Sequence, residues 1–141
     1  LKGDNLDTLD WDTLREQFEV NTLGPLRMAR AFAPKMTEGG KIGILSSRVG
    51  SLADNTSGNN YGYRISKTAV NMAGLNLAHD LAPRGIAVLI LHPGFVRTEM
   101  TGGRGHIGPD ESARGLIARL DELGLNETGT FWHADGSQLP W

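Results

Sequence analysis

The chain has 141 residues, of which 39% are hydrophobic and 21% charged, with a formal net charge of −2 and no cysteine. That length holds one domain around one core, and the lack of cysteine excludes disulfides, zinc-thiolate sites and cysteine nucleophiles. The slight acidity argues against nucleic acid or an anionic membrane as partner, since both reward clustered positive charge, and no apolar run approaches the ~20 residues that span a bilayer. A cytoplasmic address is expected. Asp10 can cap the backbone N–H groups of a helix over residues 11–18. Asn21 falls where that helix breaks or bends, and Pro25 permits a new first turn. Leu26, Ala29, Phe32, Ala33 and Met36 continue a helical stripe. Gly39-Gly40 ends it. Ile42-Gly43-Ile44-Leu45 reads as a short strand buried on both faces. Residues 48–60, rich in Gly, Ser and Asn, read as loop.

A long helix follows over residues 63–82. Val70, Ala73, Leu77 and Leu81 mark one apolar face, and Ile65, Ala69 and Met72 a second, so cover on two sides is expected: a sheet on one, a second subunit on the other. Residues 86–91, an unbroken apolar run, read as a second buried strand that ends at His92-Pro93-Gly94. A glycine-rich loop leads to a helix over about 109–123, and residues 128–134 suggest a third strand. This alternation is the rhythm of a parallel α/β sheet, with no repeat or linker to divide residues 1–141.

Tyr63 and Lys67 lie one turn apart on a shared helix face. Tyrosine ordinarily ionises near pH 10, and a close ammonium favours its phenolate, so the pair suits proton transfer. Alone it is weak: chance yields Tyr-x-x-x-Lys in roughly one such chain in twenty, and a surface lysine over a packed ring gives the same spacing. Context strengthens it. Ser46-Ser47 and Pro93-Gly94 stand at the carboxyl ends of the first two strands, where open parallel sheets bind ligands. Asn21, Ser47, Tyr63-Arg64-Ile65-Ser66-Lys67 and Pro93-Gly94-Phe95-Val96-Arg97-Thr98 occur in the order of the short-chain dehydrogenase/reductase family, which the chain resembles over nearly its whole length. The segments 54–58 and 129–136 resemble the C-factor and sniffer-type carbonyl reductase branch.

The resemblance implies a partial doubly wound, Rossmann-like fold, three parallel strands with alternating helices. It implies an NAD(P)-dependent oxidoreductase that reduces a carbonyl to an alcohol, or the reverse. Tyr63 would be the general acid/base, Lys67 would lower its pKa and hold the nicotinamide ribose, Ser47 would hydrogen-bond the reacting oxygen, and Asn21 would anchor a water in a relay to Lys67. Pro93, Gly94, Val96 and Thr98 would border the nicotinamide of NADP or NAD, with NADP favoured by the branch. The partners would be a small carbonyl or alcohol and further copies of the chain, as homodimer or homotetramer through helices 22–36 and 63–82. Structural roles remain open: Ser47 as a loop cap, Asn21 as a bridge across a helix break.

The stretch 101–108 contains Gly-x-Gly-x-x-Gly, but a phosphate loop leaves a strand directly, and ten residues intervene here. The family match places it over the substrate. The family's Thr-Gly-x-x-x-Gly-x-Gly loop and the strand before it would precede Leu1. Residues 1–141 are therefore expected to be the C-terminal, catalytic and substrate-binding half of the domain, with one edge of the first strand uncovered and little activity alone. The alternative is a non-catalytic dimerising or signalling module that kept this half of the fold. His79, His92, His106 and His133 show no ligand spacing, so no metal is expected. Trp132 and Trp141 read as core or interface residues.

Overall fold

The computed structural model describes residues 3–141. Helices α1 (Trp11–Phe18) and α2 (Gly24–Phe32) precede strand β1 (Lys41–Leu45). Helix α3 (Tyr61–Leu81), strand β2 (Ala87–His92), helix α4 (Pro109–Glu122) and strand β3 (Phe131–His133) follow. The strands form one parallel sheet in the order β1-β2-β3, with Lys41 opposite Ala87 and His92 opposite His133. Each parallel pair requires a crossover, and α3 and α4 supply them. The sheet is thus a three-stranded piece of a Rossmann-like α/β fold.

The residues at the joints act as their chemistry dictates. Asp10 accepts hydrogen bonds from the N–H groups of Asp12 and Thr13 and starts α1. At Glu19–Leu23 the helix widens into a π-type turn before Pro25 opens α2. Asn60, before α3, is left-handed and makes no side-chain cap. Asp4 substitutes for it across the chain, accepting from Gly62 N–H at 3.2 Å and placing its carboxylate at the positive end of the helix.

β2 is the centre of the core: Ala87 through Leu91 are all buried, as an apolar run in a covered parallel strand should be. β1 departs from the expected two-sided burial. Ile44 is 5% exposed because it faces α3, but Leu45 is 55% exposed because the next side chain leaves the opposite face, which is open at that point among the described residues. On α3, Val70 and Leu81 face the core as expected, but the rest of the buried stripe is Gly62, Ser66, Asn71, Gly74 and Ala78. A Cβ on Gly74 would lie 2.8 Å from Ile90 and 3.2 Å from Ile44, so its absence lets α3 rest directly on two strands. Ile65 and Met72 stand exposed on the opposite face. Trp141 stacks on the buried Phe131, with ring centroids 5.7 Å apart. No helix among the described residues is long and apolar enough to cross a membrane.

Candidate active site at the strand ends

The extended backbone that leaves β1 turns successive side chains to opposite sides. Ser46 points into the protein, where its hydroxyl donates to Asn71 Oδ1 at 2.5 Å. Ser47 points the other way, toward Tyr63, whose phenol it draws down against burial. It also accepts from Val49 N–H at 3.4 Å, a long bond that caps the loop.

Tyr63 and Lys67 project from the first turns of α3 toward this strand end. The Lys67 ammonium lies 5.8 Å from the centre of the Tyr63 ring and donates to the Leu45 carbonyl at 3.1 Å. Burial pushes the Tyr63 phenol above its ordinary value, opposed by the nearby Ser47 hydroxyl, and burial pulls Lys67 down. This balance differs from the expected one, in which Lys67 lowers Tyr63. The ammonium is turned to a backbone carbonyl, desolvation dominates, and the phenol keeps its proton at neutral pH.

Asn21 sits in the π-type turn, a device that recurs at functional sites. Its Nδ2 donates to Ser66 Oγ at 3.1 Å, and Ser66 Oγ donates to the Tyr63 carbonyl at 2.8 Å. Thr22 donates to the Ser66 carbonyl at 2.8 Å. Asn21 therefore reaches the helical turn between Tyr63 and Lys67 through Ser66. That link was not visible in the sequence, because 45 residues separate its ends. Gly50 was missed for a related reason. Its carbonyl accepts from Thr68 at 2.9 Å and Asn71 at 3.4 Å, and it stitches the loop after Ser47 to the turn carrying Lys67.

Pro93-Gly94 follows β2 directly, on the same side of the sheet as Ser47. Gly94 is left-handed at φ +88°. Val96 bridges to Ile107, and Thr98 caps a short turn at Glu99–Thr101. The glycine-rich stretch folds back on this segment. Arg97 N–H donates to Ile107 at 3.0 Å, His106 N–H to Phe95 at 2.8 Å, and the rings of Phe95 and His106 meet edge to face. It is a flap rooted beside the site, and it neither leaves a strand nor opens directly from one into α4.

His92 and His133, far apart in sequence, come together at the ends of β2 and β3 with ring centroids 4.8 Å apart. Among the described residues no three His, Cys, Asp or Glu side chains are grouped to hold a metal. Burial, then the charges of His133 and Arg48, push His92 down to about 4. Unfolded, it would bind a proton near pH 6.5, so between about 6.5 and 4 the unfolded chain holds more protons than the folded one. Stability is therefore expected to fall as pH drops through that window, by up to about 1.4 kcal/mol per pH unit. Urea midpoints between pH 7 and 4 should show this slope in the unsubstituted protein and a flatter one in His92→Phe.

Comparison with known proteins agrees with the fold. A family model described as enoyl-(acyl carrier protein) reductase matches residues 1–119. The chain is 51% identical over 142 residues to 1-hydroxy-2-glutathionyl-2-methyl-3-butene dehydrogenase of Rhodococcus sp. (strain AD45), covering 98% of this chain and 63% of that protein. It is 38% identical over 138 residues to C-signal of Myxococcus xanthus, covering 96% of this chain and 83% of that protein. The carbonyl reductase Sniffer of D. melanogaster superposes with a TM-score of 0.94 at 30% identity over 100% of this chain and 62% of its own. NADPH-bound carbonyl reductase from chicken fatty liver gives 0.90 at 28% identity, over 99% and 62%. The chain thus spans a little over three fifths of the dehydrogenase and of both reductase structures.

Proposed function

The chain belongs to the short-chain dehydrogenase/reductase family, an oxidoreductase family, and from that premise we propose that the full-length protein interconverts a small carbonyl compound and its alcohol by hydride transfer. The observation that carries the reading is the convergence of Ser47, Tyr63 and Lys67 at the carboxyl end of a parallel sheet.

Residues 3–141 suit the nicotinamide end of a dinucleotide. Lys67 and Tyr63 offer an ammonium and a hydroxyl on one helix face, and the bare Cα of Gly94 leaves room that a side chain would fill, since a Cβ there would lie 2.9 Å from Ile107. A bound nicotinamide supplies or takes up the hydride. In reduction, the carbonyl carbon gains that hydride while the Tyr63 hydroxyl gives its proton to the carbonyl oxygen. The phenol held protonated by burial is ready for that step. Ser47 donates a hydrogen bond to the same oxygen as its charge grows. Lys67 holds the nicotinamide ribose and returns charge balance to Tyr63. Asn21, through Ser66, fixes the turn that spaces the two and anchors the water of the relay. Pro93, Gly94, Val96 and Thr98 border the nicotinamide. NADP is favoured over NAD, on the NADP-bound neighbours.

The substrate is small, and the flap of residues 95–108 faces it. The protein is cytoplasmic and assembles as a homodimer or homotetramer through α2 and α3. Phe18, Leu23, Leu26, Met72 and Leu77 line a groove of about 370 Å³ there, which fits apolar cover from a second copy. Similarity to C-signal does not favour a signalling module over the enzyme.

The test mixes full-length protein with NADPH or NADH and a panel of aldehydes and ketones, and with NADP⁺ or NAD⁺ and alcohols, including the hydroxy compound after which the Rhodococcus relative is named. Loss or gain of reduced-nicotinamide absorbance is the expected result. No turnover in either direction and no dinucleotide binding would refute the reading.

A further inference from the structure

The two histidines at the strand ends lie outside the proton-transfer chemistry, yet they border the Pro93-Gly94 turn. His92 ends β2 and His133 ends β3, directly opposite in register, with rings edge to face at 77°. His133 Nδ1 accepts from the Asp135 N–H at 3.0 Å, with the Asp135 carboxylate 3.1 Å away. That carboxylate is in turn bonded by Ser137 N–H at 2.8 Å and Ser137 Oγ at 2.7 Å. The imidazole is thereby fixed with its far edge toward Gly94. A Cβ built on Gly94 would lie 3.5 Å from His133 Cε1 and 3.7 Å from Nε2.

Helix α4 closes the arrangement from above. Ser112, buried on its first turn, donates to the Pro93 carbonyl at 2.7 Å. One turn on, Gly115 lets the helix meet Ala134 so closely that a Cβ would fall 2.5 Å from the Ala134 oxygen. Ala134 N–H donates to the His92 carbonyl at 2.9 Å. The turn after β2 and the turn after β3 are thus held together by one helix, with the His133 ring packed on His92 beside them. Arg48, which follows Ser47 and pairs with Asp54 at 2.5 Å, is the charged neighbour on the remaining side.

We propose that His133 is a positioning residue: its imidazole packs edge to face on His92, the residue that leads into the Pro93-Gly94 turn, and with Ile107 it bounds the open space beside Gly94, and it thereby sets where that turn meets the nicotinamide. The inference deepens the functional reading above and rests on that reading's assignment of the turn to the nicotinamide. It singles out the ring, because the hydrogen bond to Asp135 N–H is made at an exposed residue and water can replace it.

Two variants of the full-length protein separate ring from hydrogen bond. His133→Asn keeps an acceptor for Asp135 N–H and removes the ring from His92 and from the space beside Gly94, whereas His133→Phe keeps the ring and removes the acceptor. The readouts are single-turnover hydride transfer, affinity for NADPH, and affinity for 2′-phospho-ADP-ribose, which lacks the nicotinamide. His133→Asn is expected to slow hydride transfer by roughly 10- to 100-fold, the cost of a small misplacement of reacting groups. It should weaken NADPH but not the nicotinamide-free fragment, and His133→Phe should restore most of the rate. Equal loss of affinity for NADPH and fragment, or a Phe variant as impaired as the Asn variant, would overturn the proposal. So would unchanged transfer in His133→Asn while Tyr63→Phe is inactive, and the functional reading would then survive. Failure of the unsubstituted protein to bind either ligand overturns both.

Discussion

Tyr63→Phe in the full-length protein is expected to lower turnover by about 10²- to 10⁴-fold, the range for loss of a positioned general acid or base. The ring remains in its half-buried place and only the hydroxyl facing Ser47 is lost, so the fold should lose about 1 kcal/mol or less. Dinucleotide affinity and melting temperature should therefore change little while kcat collapses. Turnover close to that of the unsubstituted protein would remove Tyr63 from its role. The pH dependence gives an independent check. Burial raises the folded phenol above its ordinary value, so the protonated form persists up to that raised value. Reduction, which spends the proton, should be flat through neutral pH and fall only as the phenol ionises. Oxidation, which needs the phenolate, should rise with pH over the same interval, and a bound nicotinamide cation would shift both limbs downward.

Gly50→Ala is expected to cost about 10²-fold in kcat/KM, through geometry and not through lost chemistry. A Cβ at Gly50 would fall 2.8 Å from the Lys67 carbonyl carbon, 2.9 Å from Lys67 Cβ and 3.0 Å from the Lys67 oxygen. Most of these atoms are backbone within a 21-residue helix, so they cannot swing aside as the tip of a side chain would. Either the loop after Ser47 or the turn carrying Lys67 must move, and Ser47 and Lys67 separate in both cases. Overpacking of this kind also destabilises by about 1–3 kcal/mol. Steady-state kinetics beside a urea titration distinguish the two contributions. Normal kcat/KM in a folded Gly50→Ala protein would show that the distance between Ser47 and Lys67 is not critical.

The legible parts of this molecule are those where one chemical signal dominates. β2 could be read almost residue by residue, because its apolar run is short, rich in β-branched residues and bounded by Gly85 and Pro93-Gly94, which suits a covered strand and not a helix. β1 carries a similar run and was read the same way, yet Leu45 is exposed. Apolar sequence records the cover a strand requires and says nothing about where that cover comes from. On α3, hydrophobic periodicity found Val70 and Leu81 but passed over Gly62, Ser66 and Gly74, which face inward because they are small. The site divides likewise. Tyr63 and Lys67 announce themselves by helical spacing. The links from Asn21 to Ser66, from Gly50 to Lys67, and between His92 and His133 join elements distant in sequence, and no spacing rule reaches them.

The parallel register also governs how the chain can fold. No strand among the described residues is joined to its neighbour by a tight turn, so each of their ladder bonds waits for a whole helix to form and cross over. Loop-closure entropy must be met before any strand contact rewards it, which places this topology among slower folders. During that delay α3, the longest local element, is the natural early structure, and its bare Gly74 surface is the platform on which β1 and β2 later meet. The open side of β1 is meanwhile a row of unspent hydrogen-bond donors and acceptors, and its protection is a matter of timing as much as of final structure.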